Sequence, residues 1–299
     1  MKGTAPCPDL YARITDRIIA TLETGVRPWL KPWSAERCAE QLPLLPLRHN
    51  GTPYRGINIL LLWGDAMDKG FTRNTWMTYK QAAELGGQVR KGEHGSLVVY
   101  ADRFTKTEAG ENGEETSREI AFLKSYTVFN VEQIDGLPAR FTEPPAPRGD
   151  PTRTVDLIAA AETFFAGTGA DIRHGGAKAF YAPACDRIQL PPPEAFRDAE
   201  SYTATKAHEL IHWTGHPSRT AREFGKRFGD QAYAFEELIA ELGAAFLCAE
   251  LAITPEPRED HAAYLAHWLA VMKADKRAIV SAAAHAQRAL DFLQGLPAA

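Results

Sequence analysis

Cysteine is scarce, with four in 299 residues at Cys7, Cys38, Cys185 and Cys248. No two form a CxxC pair, which excludes a disulfide framework or a cysteine zinc knuckle and leaves reduced thiols that mostly pack. No apolar run approaches the roughly 18 residues of a membrane span. The opening MKGTAPCPDLYARITDR lacks the apolar centre of a signal peptide, so a soluble, cytoplasmic protein with no membrane partner is expected. Internal repeats are missing, and polar low complexity is confined to residues 107–119 around GENGEE, which reads as a solvated hairpin tip. A large excess of one charge is missing too: the net charge is -4 and the pI about 6.2, which excludes a simple polycation. The average hides a division. Residues 1–106 carry 15 Lys and Arg against 10 Asp and Glu, the remainder 19 against 28, so the front third is the expected home of a polyanion. What is present is globular: 44% apolar and 24% charged residues, in a length that allows about two domains.

The boundary is expected in TEPPAPRGDP at residues 142–151, where four prolines and a glycine interrupt any periodic pattern. The reading is a front domain over 1–143, a Pro-rich linker over 144–151 and a rear domain over 152–299. In the front domain Leu10, Ile14, Ile18 and Leu22 recur every four residues between Asp9, a possible N-cap, and Gly25; they predict a helix whose stripe docks on a sheet. Strands are expected over 96–101 and 120–130 and further helices over 57–68 and 79–85, an α+β module. The rear domain reads as a helix over 152–166, short strands near Ile172, Phe180 and Ile188, and four long helices, so it is mainly helical with a small sheet. The whole chain is α+β.

His208, Glu209 and His212 spell HELIH, a match to HExxH. Histidines four apart face one way on a helix and can share one metal ion, while Glu209 can take a proton from water polarised by that ion. A catalytic zinc needs a third protein ligand, and FEELIAELGAAFLCAELAI supplies one. One face of that helix carries Phe235, Leu238, Ile239, Leu242 and Phe246, yet the opposite stripe of Glu237, Glu241, Ala244 and Cys248 is no solvated row. Carboxylates on a helix buried nearly all round need a cation or donors, so Glu237 is the expected ligand. Glu241, one turn on, is expected to orient a ligand histidine as an outer carboxylate. Glu236 and His216 are the rivals for the third position, with His216 ranked as a supporting residue because it follows the helix-ending Gly215. Zinc suits two His and a Glu, with manganese or another divalent ion as the alternative. Amide hydrolysis is the implied reaction, with a protein or peptide as substrate. The strand near Arg187–Leu190 is expected to be an edge that holds an extended peptide; Tyr181 and Asp186 read equally as site residues or as turn and core.

Four of the six tryptophans, Trp29, Trp33, Trp63 and Trp76, precede residue 80, and cations interleave with aromatics in RPWLKPW, PYRG and FTRNTWMTYK. Flat rings beside cations suit unstacked bases and phosphates, so single-stranded nucleic acid is the expected partner. The candidate contacts are Trp29, Lys31, Trp33, Tyr54, Arg55, Asn58, Arg73, Trp76, Tyr79, Arg90 and Lys91.

With those residues in view, the chain resembles the ArdC-type antirestriction proteins of conjugative plasmids. The resemblance rests on PWLKPW, YRGIN, WMTYKQA, VRKGEHG and YTVFNVEQ in front, and on HELIHWTGH and EELIAELGAAFLC behind. It implies a front domain that binds single-stranded DNA, also seen joined to plasmid primases, and a metallopeptidase-like rear domain of the SprT kind. The implied role is to guard incoming single-stranded plasmid DNA against restriction during establishment. The Glu237 and Glu241 pair also looks like the ExxxD arrangement of thermolysin-like gluzincins, with Glu in place of Asp. Two other readings stand beside this one: a DNA-recruited metalloprotease, and a binder of single strands whose metal is structural.

Overall fold

The computed structural model describes residues 9–29, 45–109, 115–143, 151–225, 230–253 and 261–296. The expected linker at 144–150 and the tip of the acidic hairpin lie outside them. In the front unit the chain runs α1 (Leu10–Glu23), β1 (Leu47–Arg48), α2 (Ile57–Lys69), β2 (Thr75–Met77), α3 (Tyr79–Glu84), β3 (Gln88–Val89), β4 (Ser96–Ala109), β5 (Glu115–Asn130), β6 (Ile134–Asp135) and α4 (Ala139–Thr142). The rear unit adds α5 (Pro151–Gly167), β7 (Asp171–His174), β8 (Phe180–Ala182), β9 (Arg187–Leu190), α6 (Ala199–Thr214), α7 (Gln231–Glu250), α8 (His261–Ala274) and α9 (Ala278–Gln294). The class is α+β.

Local signals explain the element ends. Asp9 accepts the Tyr11 N–H at 3.1 Å to open α1, and Gly25 follows it with φ +80°. Thr78 and Gln81 form a reciprocal capping box on α3, and Asp198 accepts the Ser201 N–H at 2.7 Å to open α6. In the front sheet, ordered β1-β2-β5-β4, the antiparallel β4 and β5 pair from Ser96↔Val128 to Ala109↔Glu115, well beyond the strands the sequence predicts. Asn58 closes the free edge of β4: its side chain donates to the Val99 carbonyl at 2.8 Å and accepts the Val99 N–H at 2.7 Å.

Helix α1 does not dock on a sheet, as its stripe alone suggests. It packs on α8 and α9, where the Thr15 hydroxyl donates to the Lys276 carbonyl at 2.5 Å and Asp16 pairs with Lys276 at 2.6 Å. The physical reason is that an apolar stripe specifies only that it must be covered, and the helical rear unit offers the larger apolar surface. One core therefore runs through both units, joining Ile14, Ile18, Leu60 and Trp63 to Leu238, Leu242, Phe246, Ile279 and Leu290. Trp63 meets Phe246 edge-on at 6.0 Å and Trp29 meets Trp268 at 6.1 Å. In the rear sheet, ordered β7-β9-β8, β9 is the central strand. The expected edge at Arg187–Leu190 is thus corrected, since β9 is hydrogen-bonded on both sides, to β7 and β8. The edge beside the site is β8.

Candidate metal centre

Helices α6 and α7 cross at the centre of the rear unit, and a glycine lets them approach. A Cβ on Gly243 would stand 2.8 Å from Ile211 Cγ2 and 2.9 Å from its Cγ1. Leu210, Ile211, Leu238 and Leu242 are fully buried around the crossing, each contributing about 1.5–3 kcal/mol relative to exposure. That apolar packing carries His208, Glu209, His212, Glu236, Glu237 and Glu241 into the interior, all of them buried.

Three of these side chains converge. His208 Nε2 and His212 Nε2 are 3.2 Å apart, and each lies 3.5 Å from a Glu237 oxygen, Oε2 and Oε1 respectively. Ligand atoms held about 2.0–2.2 Å from a tetrahedral zinc stand roughly 3.3–3.6 Å from one another, so the donor set fits such an ion in both chemistry and spacing. Among the described residues these three form the one cluster of His, Cys, Asp and Glu donors close enough to hold a metal.

The rival ligand Glu236 has another task. Its Oε1 accepts His212 Nδ1–H at 3.1 Å, and both of its oxygens accept from Arg222, Nε at 3.0 Å and Nη2 at 2.9 Å. Arg222 spends its five N–H donors completely, two on Glu236 and the others on the Ile211 carbonyl at 2.6 Å and the Thr214 and Thr220 hydroxyls at 2.8 and 2.9 Å. It therefore caps the C-terminus of α6 and fixes the carboxylate that fixes His212. A Cβ on Gly215 would stand 2.9 Å from Arg222 Nη2, so glycine follows the helix here for space.

Electrostatics match the geometry. Burial pulls the His212 ring down, but Glu236 and Glu237 more than reverse this and push it up to about 10. Burial pushes Glu237 up, and its hydrogen bonds to His208 and His212 hold it well below the usual carboxylate range. Glu241 has one oxygen 3.9 Å from His208 Nδ1, near enough for charge and beyond a direct hydrogen bond. His216 is half-buried on the turn after α6, where its Nδ1 meets the Ser218 hydroxyl at 2.7 Å and accepts the Ser218 N–H at 3.2 Å.

The cluster opens into a cleft of about 210 Å³ lined by Glu209, Phe180, Tyr181, Phe224 and Tyr233 among others. Tyr233 meets the Tyr264 hydroxyl at 3.3 Å, and burial, that bond and Glu237 together raise its pKa, so the phenol keeps its proton. Tyr181, on β8, lines the cleft and donates to Asp186 at 2.8 Å; Asp186 sits in the turn before β9, held by Arg219, whose guanidinium lies 3.9 Å over Trp213. Sequence reasoning missed Arg222 and Tyr233, for which no local spacing signals a role. Cys248 is buried, its thiol pushed up to about 12 by burial and then by Glu241.

The candidate nucleic-acid contacts do not gather on one face. Trp29 and Trp76 are each 1% exposed and Tyr54 is 7% exposed, so these rings build the core and cannot stack bases. Asn58 is used on β4, and Arg73 donates to the carbonyls of Phe141, Thr142 and Glu143 at the end of α4. Arg55 pairs with Asp291, and Arg90 with Glu93 and Asp135. Tyr79 and Lys91 are exposed, whereas Lys31 and Trp33 lie outside the described residues. The exposed aromatics that sequence reasoning overlooked are Tyr100 and Tyr126, 50% and 48% exposed. Tyr100 pairs with Lys124 across the hairpin and Tyr126 is two residues on, so the three share one face. Strand alternation was the available signal.

The fold and the cluster define a two-unit protein with a zincin-like rear half. A profile described as a zincin-like metallopeptidase matches residues 159–285, and one described as the N-terminal domain of anti-restriction factor ArdC matches residues 8–129. Crystal structures of the antirestriction ArdC protein from plasmid R388 superpose with TM-scores of 0.78 metal-free and 0.75 with Mn(II) bound, at 47% and 46% identity. Each covers 96% of this chain and 97% of that one. The protein y4eC of Sinorhizobium fredii, itself uncharacterised, is 40% identical over 95% of this chain and 91% of its own length. A DNA primase TraC of Escherichia coli is 39% identical over 95% of this chain, which spans 27% of that primase. The chain belongs to the ArdC antirestriction family.

Proposed function

We propose that this protein binds single-stranded DNA through its front unit, shields incoming conjugative plasmid DNA from host restriction in the cytoplasm, and carries a metal-dependent peptidase in its rear unit. The observation that carries the reading is the convergence of His208, His212 and Glu237 beside Glu209 in an open cleft, in a chain that covers 97% of an antirestriction protein. A divalent ion held by those three side chains supplies Lewis acidity toward a carbonyl and toward water. Zinc suits the donor set, and manganese is the alternative, as in the R388 relative. Glu209 accepts the proton of the attacking water and passes it to the leaving amine. Tyr233, kept protonated, is a donor for a developing oxyanion. β8, the sheet edge on the cleft, offers its backbone to an extended peptide. The open cleft favours an enzyme over a purely structural metal, because a structural site is closed by protein ligands.

For DNA, Tyr100, Tyr126 and Lys124 supply two stacking faces and a cation on one side of the β4–β5 hairpin. Stacking contributes about 1–3 kcal/mol per base. Fluorescence anisotropy with a labelled oligonucleotide tests this. Tyr100→Ser with Tyr126→Ser should weaken single-strand binding about tenfold or more, and Lys124→Ala should lower the salt dependence by about 0.7 in log–log slope. Unchanged binding by all three substitutions together sinks this assignment of the DNA face.

A further inference from the structure

The two ligand histidines are braced from different parts of the molecule. His212 rests on Glu236, which Arg222 holds from within the rear unit. His208 faces Glu241, and Glu241 is held from the front unit. Trp29 Nε1 donates to Glu241 Oε1 at 3.1 Å, and Arg27 Nη1 stands 3.9 Å from the same oxygen. The other oxygen, Oε2, is the one 3.9 Å from His208 Nδ1. Trp29 and Glu241 are 1% and 3% exposed, so a carboxylate that lost this donor would have no water to replace it. Trp29 itself is locked edge-on against Trp268. The indole N–H therefore fixes the rotamer of Glu241, and Glu241 sets the field and the space around the far nitrogen of the His208 ring.

We propose that Trp29 is a positioning residue of the metal centre: it orients Glu241, and through it His208, so that the rear unit's affinity for a divalent metal depends on the docked front unit. The proposal rests on His208, His212 and Glu237 being the ligands. The surrounding chemistry supports it, because outer partners of ligand histidines typically change metal affinity 10–100-fold when removed.

The test uses the full chain stripped of metal and titrated calorimetrically with Mn(II), with the visible spectrum of the Co(II)-loaded protein as a second readout. Trp29→Phe keeps an aromatic ring against Trp268 and removes the donor together with part of the indole ring, a loss of volume that Trp63→Phe shares; it should raise the Mn(II) Kd about tenfold and shift the Co(II) bands. Trp63→Phe, the same change at the Phe246 contact between the units, should leave both within twofold of the parent. Should Trp29→Phe fail to fold, Glu241→Gln takes its place: the amide oxygen still accepts from Trp29, but the charge facing His208 is gone, and the Kd should rise likewise. The proposal is overturned if a folded Trp29→Phe or Glu241→Gln binds like the parent, or if Trp63→Phe weakens binding as much as Trp29→Phe. His208→Ala separates the two layers. Full affinity in that variant refutes the ligand assignment itself, whereas lost affinity there with an unaffected Trp29→Phe refutes only the link.

Discussion

Glu209 and Gln differ by a proton acceptor and almost nothing in shape, so Glu209→Gln isolates proton transfer from metal binding. It should lower cleavage of an unfolded substrate such as casein by about 10²-fold or more, with Mn(II) affinity unchanged; retained cleavage would remove Glu209 from the chemistry. His212 sets a pH dependence. Its folded pKa is raised from 6.5 to about 10, so the charged ring stabilises the metal-free fold fully below about 6.5, and that contribution is lost as pH rises through about 10. Glu237 is shifted the other way, and its contribution is present above 4.5 and lost in acid. The metal-free Tm should fall between pH 6.5 and 10, and fall less with metal loaded, because the ion replaces the proton among the same side chains. A Tm flat across that range contradicts the buried ion pairs. At this scale the sequence was most legible where chemistry follows a helical period: His208, Glu209 and His212 are set by one turn, and Glu237 by a carboxylate on an apolar helix. Arg222 and Trp29 were illegible because their partners lie 14 and 212 residues away, brought together only by packing.

Helix α7 shows how packing overrides propensity. By helix propensity Gly243→Ala should stabilise by about 1 kcal/mol. A Cβ at 2.8–3.0 Å from three Ile211 carbons should instead cost about 1–3 kcal/mol, so urea denaturation of Gly243→Ala should show a net loss of stability. A gain would mean that the helices part freely and that the convergence of the ligands does not depend on this contact. The helices themselves were readable from their periodicity and caps, and α1, α2, α3 and α5 begin at or near their expected residues. Which face met which was not. The stripe of α1 is equally suited to a sheet or a helix pair, and the alternation of Ile188 and Leu190 with Arg187 and Gln189 cannot tell a centre such as β9 from an edge such as β8.

At the scale of the molecule, the proline-rich segment and the charge division lead the sequence to be read as a front and a rear unit, and the two family profiles match residues 8–129 and 159–285. What composition could not convey is that the units share one apolar core, with Trp63 on Phe246 and α1 on α8 and α9. Of the aromatics that look from their neighbours like a basic, base-stacking surface, Trp29 and Trp63 join that shared core, while Tyr54 and Trp76 pack in a separate cluster with Leu62, Val98 and Val128. For the proposed DNA reading, the charge division favours a polyanion in front, and the hairpin face carries the exposed Tyr100 and Tyr126. The central claim is that this chain guards entering plasmid DNA. The most direct measurement is the survival of an unmodified conjugative plasmid entering a restricting host that expresses the protein, beside an empty vector and the Tyr100→Ser, Lys124→Ala, Tyr126→Ser variant at matched expression. The account predicts more surviving transconjugants with the intact protein, and loss of that excess in the variant. Survival equal to the empty vector with the intact, metal-loaded protein would contradict it.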